Sequence, residues 1–356
     1  MTNPLLEVLD LTVSYKPRGR SRPDLAPVVK GISFSIAQGE TVGLVGESGS
    51  GKSTTARALM DLIAVDSGQI LWNGTPLDLQ GANRRKMQMV FQDPYSSLNP
   101  SMPVNRIIGE PLEVHDSMRG RERDDRVRDL LGLVGLSPDY LRRYSYEFSG
   151  GQRQRIAIAR ALALEPEIVI CDEPVSALDV STQNQIINLL KRLRDEVGVA
   201  YLFIAHDLAV VRNVSSRILV MYLGRIVESN TANRIFSAPA HPYTEALISA
   251  VPIPRPSMRK RRHDLVRGEL PDPTAHIKGC VFASRCRYAM DICRETMPEF
   301  SPLSDGGSVA CHLQTEGPML AGQPLADLHK RSRDAGLSGT TPSSQRTIRT
   351  TSDENP

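Results

Sequence analysis

The chain has 356 residues, of which 40% are hydrophobic and 23% are charged, and its formal net charge is +3. This length predicts two domains and a tail, with enough apolar residues for a full core. No apolar run approaches the roughly 18 residues of a spanning helix, and residues 1–10 lack the pattern of a signal peptide, so we expect a cytoplasmic chain. The five cysteines are not expected to form a disulfide framework.

Short apolar segments alternate with helical patterns along the first two thirds of the chain. Helices are predicted at residues 54–63 and within the region 104–147, where Leu and Val recur among Arg and Asp. Apolar strands that alternate with helices indicate a parallel α/β core. Strands are predicted at residues 5–15, 28–36, 41–45, 167–171, 199–204 and 218–221.

The composition changes after about residue 236, where a series of prolines predicts a segment without regular structure, at positions 239, 242, 252, 254 and 256. A basic run follows at residues 255–267, which is either a solvated linker or a contact with anionic membrane headgroups. Nucleic-acid binding is disfavoured because no aromatic residues accompany these charges. From about residue 325, Ser, Thr, Arg and Gly predominate, which predicts a disordered tail.

Residues 46–53, Gly-Glu-Ser-Gly-Ser-Gly-Lys-Ser, match the pattern G-x-x-x-x-G-K-[ST] between an apolar strand and a helix. The glycines let backbone N–H groups face phosphate oxygens, and the N-terminus of the helix favours an anion. We expect Lys52 to supply positive charge to the β- and γ-phosphates and Ser53 to offer its hydroxyl to Mg²⁺.

A second part of this site is predicted at the end of another strand. The segment Ile-Val-Ile-Cys-Asp-Glu at residues 168–173 brings two acids to the carboxyl edge of the sheet, where α/β sheets bind ligands. We expect Asp172 to hold Mg²⁺ through water and Glu173 to polarise the attacking water as a general base. Cys171, inside the strand, is expected to be a small buried hydrophobe.

Residues 148–152, Phe-Ser-Gly-Gly-Gln, resemble the signature sequence of ABC ATPases, with Phe148 where Leu is commonest. Ser149 can cap the following helix, and the two glycines expose its first N–H groups to an anion. The resemblance covers roughly residues 5–235. It implies an α/β P-loop ATPase core with an antiparallel β subdomain and a helical subdomain at about residues 95–160. The signature residues are Ser149, Gly150, Gly151 and Gln152.

The resemblance also implies roles for residues outside these segments. Gln92 matches a glutamine that touches Mg²⁺ and water, and His206 matches a histidine that contacts the γ-phosphate. Asp179 lies in the segment that crosses the interface between two such domains, which close head to tail on two ATP molecules. Tyr15 matches an aromatic that stacks on adenine, although a strand aromatic could equally belong to the core. The candidate ATP-binding residues are Tyr15, Gly46, Ser48, Gly49, Ser50, Gly51, Lys52, Ser53, Thr54 and Asp172.

Residues 91–100 and 241–244 resemble the branch of ABC importers that takes up peptides, nickel, glutathione and similar solutes, and this match extends to about residue 315. It implies a peripheral ATPase subunit at the cytoplasmic face of the inner membrane, partnered by two transmembrane permeases and indirectly by a solute-binding protein, without nucleic acid. Residues 16–27, 150–152 and 173–176 resemble the second of the two ATPase subunits of such systems. A heterodimer with a homologous subunit is therefore expected, and a homodimer stays open.

Two other functions remain as alternatives. One is a soluble ABC ATPase that acts on DNA or ribosomes, which is disfavoured by the single cassette and the lack of sustained heptads. The other is an exporter subunit, which the importer-like extension disfavours. The expected divisions are a nucleotide-binding domain at 1–235, a cysteine-bearing C-terminal extension at 236–325 and a disordered tail at 326–356.

Four cysteines of the extension have the spacing C-x5-C-x6-C-x17-C, at Cys280, Cys286, Cys293 and Cys311. This spacing fits neither the tight cysteine pairs of zinc ribbons nor the common ferredoxin runs. Members of the importer family that the chain resembles can carry a [4Fe–4S] cluster on such cysteines, and the resemblance implies one here. Zinc binding and metal-free thiols stay open.

Overall fold

The structure, a computed structural model, describes residues 4–15, 27–79, 81–250, 271–272, 277–317, 325 and 327–328. The basic run at 255–267, the prolines at 252, 254 and 256, and the tail expected at 326–356, apart from residues 327–328, lie outside these ranges. Within them, no helix has the length and apolar character needed to cross a membrane.

Every strand predicted from the sequence is present, with ends within two residues of those expected. In chain order the strands are β1 (Leu6–Val13), β2 (Val29–Ile36), β3 (Thr41–Val45), β4 (Ser67–Trp72), β5 (Thr75–Pro76), β6 (Met87–Val90), β7 (Ile168–Asp172), β8 (Ala200–Ala205), β9 (Arg217–Tyr222), β10 (Arg225–Thr231), β11 (Ser301–Pro302) and β12 (Ser308–Val309). The helices are α1 (Lys52–Leu59), α2 (Pro94–Ser97), α3 (Val104–His115), α4 (Gly120–Leu133), α5 (Gly150–Leu162), α6 (Val180–Val197), α7 (Leu208–Val214), α8 (Ala232–Ser237), α9 (Pro242–Ala250), α10 (Ile292–Glu295) and α11 (His312–Thr315).

The larger sheet has the strand order β11-β12-β10-β9-β3-β8-β7-β6. The pairs β3–β8, β3–β9, β7–β8 and β6–β7 are parallel, which confirms the predicted parallel core. Every residue of β3, β7 and β8 is buried, because one face of the sheet packs against helices and the other against α1 and the smaller sheet. The register pairs Val45 with Ala205 and Asp172 with Ile204, so the carboxyl ends of β3, β7 and β8 meet at one edge.

The smaller sheet is antiparallel, with the order β2-β1-β4-β5. Its inward side chains, including Leu6, Val8 and Leu11, share a buried cluster with α1 and with one face of β3. The register of β1 shifts between Val8 and Leu11, and Asp10 has a φ of +48°. This bulge leaves Leu9 and Asp10 both exposed and increases the local twist of the sheet.

The helices between β6 and β7 form the predicted helical region. α3, α4 and α5 pack on one another through side chains that include Ile108, Leu112, Leu131 and Ile156. Arg123 of α4 is nearly buried and forms ion pairs with Glu113 and with Asp124. The apolar stripes of these helices are thus covered by one another, and their periodicity is why the sequence predicted them.

The C-terminal segment continues the larger sheet. The expectation that Pro242 interrupts regular structure was wrong, because it is the first residue of α9, where proline needs no hydrogen-bond donor and its φ suits a helix. β12 pairs with β10, with Glu228 opposite Val309, and β11 pairs with β12. Val281 and Phe282 are buried in the same cluster as Val45.

Candidate nucleotide site

The phosphate-loop pattern occupies the turn from β3 into α1. The Nζ of Lys52 donates hydrogen bonds to the carbonyl oxygens of Gly46 at 2.8 Å and Glu47 at 2.9 Å. Lys52 is buried, which lowers the pKa of its ammonium group, while the neighbouring carboxylates Glu173 and Asp172 act in the opposite direction. The loop thus folds around its own lysine and holds that amine at the carboxyl edge of the sheet.

Glycine is required at two positions of this loop. A Cβ on Gly46 would lie 2.1 Å from the carbonyl oxygen of Met221, and Gly51 has a φ of +106°. Neither position accommodates a side chain without moving the backbone. Among the other expected ligands in this segment, Ser48 and Gly49 are exposed. Ser50 and Thr54 are buried.

Asp172, at the end of β7, lies beside the start of α1. The hydroxyl of Ser53 donates to Asp172 Oδ1 at 3.0 Å. Burial raises the pKa of this carboxyl, whereas the hydrogen bond from Ser53 and the charge of Lys52 lower it. A hydroxyl and a carboxylate are oxygen donors of the kind that Mg²⁺ prefers, so the residues fit this ion. Cys171, the preceding residue, is buried as expected.

Glu173, Gln92 and His206 meet at the same edge. Glu173 Oε2 accepts a hydrogen bond from Gln92 Nε2 at 3.1 Å and lies 3.1 Å from His206 Nδ1. The φ of Glu173 is +47°, a conformation that is uncommon for residues other than glycine. Gln92 and His206 are exposed and Glu173 is half-buried, so water has access to this carboxylate. The arrangement suits a group that accepts a proton from water.

Tyr15 is not a core residue, since 47% of it is exposed. Its hydroxyl lies 3.1 Å from Thr54 Oγ1, on the first turn of α1. The alternative that Tyr15 belongs to the core is therefore wrong. The ring lies beside the phosphate loop with solvent-accessible surface.

The signature segment begins α5 with reciprocal capping bonds. Ser149 Oγ accepts from the N–H of Gln152 at 3.3 Å, and Gln152 Oε1 accepts from the N–H of Ser149 at 3.1 Å, which confirms the predicted cap. A Cβ on Gly151 would lie 2.3 Å from Thr182 Cγ2, and one on Gly150 would lie 3.2 Å from a methyl of the segment before α6. The glycines thus let α5 approach the start of α6 closely.

Asp179 caps α6. Its carboxylate accepts hydrogen bonds from the N–H of Thr182 at 2.9 Å, from Thr182 Oγ1 at 2.8 Å and from Ser181 Oγ at 2.5 Å. These bonds hold the pKa of Asp179 at about 2, so it is ionised at neutral pH. Within this chain, Asp179 fixes the first turn of the helix against which the signature glycines pack.

Glu47 of the phosphate loop contacts the C-terminal part of the chain, and the sequence did not predict these contacts. Its N–H donates to the hydroxyl of Tyr243 at 2.9 Å, and its Oε2 accepts from Arg285 Nη1 at 2.9 Å. The same Arg285 nitrogen lies 3.2 Å from the hydroxyl of Tyr222. Arg285 is 238 positions from Glu47 in the chain, so no local pattern could have indicated this contact.

The four cysteines of the extension lie near one another. Cys280, Cys293 and Cys311 are buried and Cys286 is half-buried. Burial, together with the neighbouring thiols Cys280 and Cys293, raises the pKa of the Cys286 thiol to about 11. The N–H of Cys280 donates to the carbonyl oxygen of Cys293 at 2.8 Å. In the part of the chain that the structure describes, no three His, Cys, Asp or Glu side chains are arranged as ligands of a metal ion.

Comparison with known proteins agrees with this geometry. The model of the family described as "ABC transporter" matches residues 29–176, and that described as "Oligopeptide/dipeptide transporter, C-terminal region" matches residues 227–293. The putative oligopeptide transport ATP-binding protein YkfD of Bacillus subtilis is 50% identical over 317 residues, which are 87% of this chain and 95% of that protein. The chain belongs to the ABC transporter family. It is an ATPase of this family, as the sequence predicted.

A further relative and a solved structure support the same family and fold. The oligopeptide transport ATP-binding protein OppF of Escherichia coli is 48% identical over 306 residues, which are 83% of this chain and 92% of that protein. A solved structure of the ATP-binding cassette MJ0796, a dimer bound to ADP and Pi, is 31% identical and covers 64% of this chain and 98% of its own. Its TM-score of 0.56 confirms the α/β ABC fold.

Proposed function

We propose that this ABC ATPase powers the import of oligopeptides or related small solutes through a membrane transporter. The observation that carries this proposal is the match of residues 227–293 to the C-terminal region of oligopeptide and dipeptide transporters, joined to an ABC cassette. The relatives named as oligopeptide transport ATP-binding proteins support it over more than four fifths of the chain. We further propose the division into a nucleotide-binding domain at 1–235, an extension at 236–325 and a tail.

The contacts of the site support a division of labour in ATP hydrolysis. Lys52 and the loop N–H groups would bind the phosphates, while Tyr15 would stack on the adenine. Mg²⁺ would supply charge neutralisation to the phosphates, held by Ser53, Gln92 and Asp172. Glu173 would accept the proton of the attacking water, because its carboxylate lies at the solvent-accessible edge between Gln92 and His206.

His206 would contact the γ-phosphate. Its Nδ1 lies 3.1 Å from Glu173 Oε2, so the imidazole would orient this carboxylate as well. Gln92 donates to the same oxygen, which leaves the other carboxylate oxygen of Glu173 for water. Together the two partners would hold the general base in one orientation.

A second ATPase domain would complete each site. The signature residues Ser149, Gly150, Gly151 and Gln152 would face the phosphates bound by the partner, and Asp179 would lie at the interface between the two domains. The exposure of Ser149 and Asp179 supports a role in pairing. We propose a heterodimer with a homologous subunit, docked on two permeases at the cytoplasmic face of the inner membrane and served by a solute-binding protein. We propose no role for nucleic acid.

The test begins with a tagged chain isolated in detergent from native membranes, with co-purifying proteins identified by mass spectrometry. Two multi-span permeases and a second ATPase are expected. Ribosomes or DNA in their place would favour the soluble ABC class and contradict the import proposal. Recovery of only a second copy would favour the homodimer.

Substitution of Glu173 tests the proposed base. The variant Glu173→Gln should still bind ATP, because the amide retains an oxygen that can accept from Gln92. Phosphate release should fall by about 10²- to 10⁴-fold, and the ATP-bound dimer should accumulate. Asp207→Asn, a change at a helix cap next to His206, is the matched control and should retain turnover. An unchanged hydrolysis rate in Glu173→Gln would contradict the role of this residue.

We also propose that Cys280, Cys286, Cys293 and Cys311 bind a [4Fe–4S] cluster. Four neighbouring thiols are a donor set that fits such a cluster. A bound cluster would cross-link the four cysteine-bearing segments of the extension. As described, no three of them are arranged as ligands, so binding requires that their side chains move together. Anaerobic purification followed by iron, sulfide and zinc assays tests the proposal: iron and sulfide support it, zinc alone favours the alternative metal, and absence of all three contradicts metal binding.

A further inference from the structure

The phosphate loop is tied to the C-terminal part of the chain at one residue, Glu47. Three of its groups are held at once: the N–H by the hydroxyl of Tyr243, the carboxylate by Arg285 and the carbonyl oxygen by Lys52. The next two loop residues, Ser48 and Gly49, are exposed. Glu47 is therefore the point at which the C-terminal part restrains this loop.

The groups that hold Glu47 are themselves rigid. Tyr243 is fully buried, and its ring centroid lies 4.6 Å from that of Tyr222 and 5.4 Å from that of Phe282. The side chain of Arg285 is 8% exposed, and that of Glu47 is 27% exposed. A hydrogen bond between two ionised groups is among the strongest in proteins, and shielding from water strengthens its electrostatic part. A packed aromatic cluster thus presents a fixed cation and a fixed hydroxyl to the loop.

The position of Lys52 depends on the same residue. The carbonyl oxygen of Glu47 accepts a hydrogen bond from Lys52 Nζ, so a change in the backbone at Glu47 also moves the acceptor of the lysine. Arg285 donates a hydrogen bond to the carboxylate of Glu47, and Tyr243 accepts one from its backbone N–H. Together these two bonds fix the position of Glu47. Loops that are preorganised in their binding conformation bind more tightly, because less ordering is needed on binding.

We propose that Arg285 and Tyr243 are positioning residues that hold Glu47, and through it the phosphate loop, in the conformation that binds ATP. The C-terminal segment thereby sets the ATP affinity of the cassette. Among the described residues, the side-chain hydrogen bonds of Arg285 and Tyr243 join Glu47 and Tyr222, whereas Glu173 is bound by Gln92 and His206, so we expect their effect on ATP binding rather than on the chemical step. The inference rests on ATP binding by the chain and does not require that the transported solute be a peptide.

A double-mutant cycle on the purified full-length chain tests this coupling. The variants are Glu47→Gln, Arg285→Met and the two combined, and the Kd for ATP is measured by isothermal titration calorimetry with thermal unfolding measured in parallel. Each single variant should raise the Kd about tenfold, and the double variant should be no weaker than the weaker single one, because both changes remove one interaction. In the assembled transporter with both ATPase domains, the KM of ATP hydrolysis should rise by a similar factor while kcat changes less than twofold.

Two further variants separate positioning from loss of structure. Tyr243→Phe keeps the buried ring and removes only the hydroxyl, so it should raise the Kd for ATP without disturbing the aromatic cluster. Arg287→Met is the matched control: Arg287 lies two positions from Arg285, lies 3.6 Å from Glu245 and should leave the Kd unchanged. Glu47→Gln, which changes only the loop, carries the test even if Arg285→Met does not fold.

Four results would overturn the inference, three of them in the binding assay. The three binding results are a wild-type Kd in Glu47→Gln, effects of Glu47→Gln and Arg285→Met that multiply in the double variant, and an equal loss of affinity in Arg287→Met. Impaired import by Arg285→Met with a normal ATP affinity would likewise overturn it, while the proposed transport function would stand. Failure to recover permeases with the wild-type chain, together with the expected Kd values, would contradict only the transport function.

Discussion

Replacement of Glu228 with glutamine should change how the stability of this protein depends on pH. Glu228 lies fully buried in β10, and its two carboxylate oxygens accept hydrogen bonds from the N–H groups of Ala240 and His241, each at 2.9 Å. Burial raises its pKa from 4.5 to about 7, although these two hydrogen bonds lower it. Between these values the folded protein keeps a proton that the unfolded chain releases.

The sign and size of the effect follow from this difference. Because the folded state binds the extra proton, the free energy of unfolding falls as the pH rises from 4.5 to 7. At 1.36 kcal/mol per pH unit, the loss across this window is about 3 kcal/mol. Glutamine does not titrate, and its amide oxygen accepts only one of the two N–H groups, so the other remains unpaired at a cost of about 1–3 kcal/mol. Glu228→Gln should therefore be destabilising at pH 5 and neutral or stabilising at pH 8.5.

The neighbouring His241 has the opposite pH dependence. Its burial lowers the pKa from 6.5 to about 3, so the unfolded chain binds the extra proton and stability falls as the pH drops through this range. Both proteins contain His241, so its contribution cancels when wild type and Glu228→Gln are compared at each pH. The comparison isolates the carboxyl of Glu228.

The assay is urea unfolding of the full chain at pH 5, 6, 7 and 8.5, followed by circular dichroism. The matched control is Glu196→Gln, the same substitution on α6, where the side chain is 53% exposed. A difference in unfolding free energy between wild type and Glu228→Gln that stays constant from pH 5 to 8.5 would refute the reasoning.

Three further predictions concern the nucleotide site. Lys52→Met should abolish ATP binding in isothermal titration, because the variant lacks the cation that the loop encloses; retained binding would contradict this role. Gly151→Ala should lower the free energy of unfolding by about 1–3 kcal/mol in a urea titration, since its Cβ would lie 2.3 Å from Thr182 Cγ2. Thr182→Ser removes that methyl and should restore stability; failure to do so would exclude the clash. Tyr15→Ala should raise the Kd for ATP about tenfold while Tyr15→Phe changes it less than twofold, and equal effects would contradict stacking.

The parallel core and the phosphate loop were predictable because their requirements are local. β3, β7 and β8 are apolar throughout, as strands covered on both faces must be, and the spacing of glycines with Lys52 meets the needs of a phosphate group in eight residues. The cap at Ser149 follows from the hydrogen-bonding capacity of one side chain. Each of these features depends on residues that are adjacent in the chain.

Other elements depended on partners that a local pattern does not reveal. β12 has only two residues and exists as a strand because it pairs with β10, where the paired residues Ser229 and Ser308 are 79 positions apart in the chain. Likewise, a proline inside a helix interrupts it, but Pro242 is the first residue of α9, where a proline is accommodated. The strands β4, β5, β6, β10, β11 and β12 were missed for the same reason, since edge and antiparallel pairings depend on what lies beside them.

The sequence by itself predicted a nucleotide-phosphate site from Lys52, Asp172 and Glu173, and residues 148–152 carried the resemblance to ABC ATPases, because each of these patterns lies in a few adjacent residues. Only the tertiary structure decided that Glu173 contacts Gln92 and His206, and that Glu47 is held from the C-terminal segment. The physical reason is that such contacts join residues tens to hundreds of positions apart. Their geometry comes from the packing of β3, β7, β8 and the aromatic cluster, which no local spacing encodes.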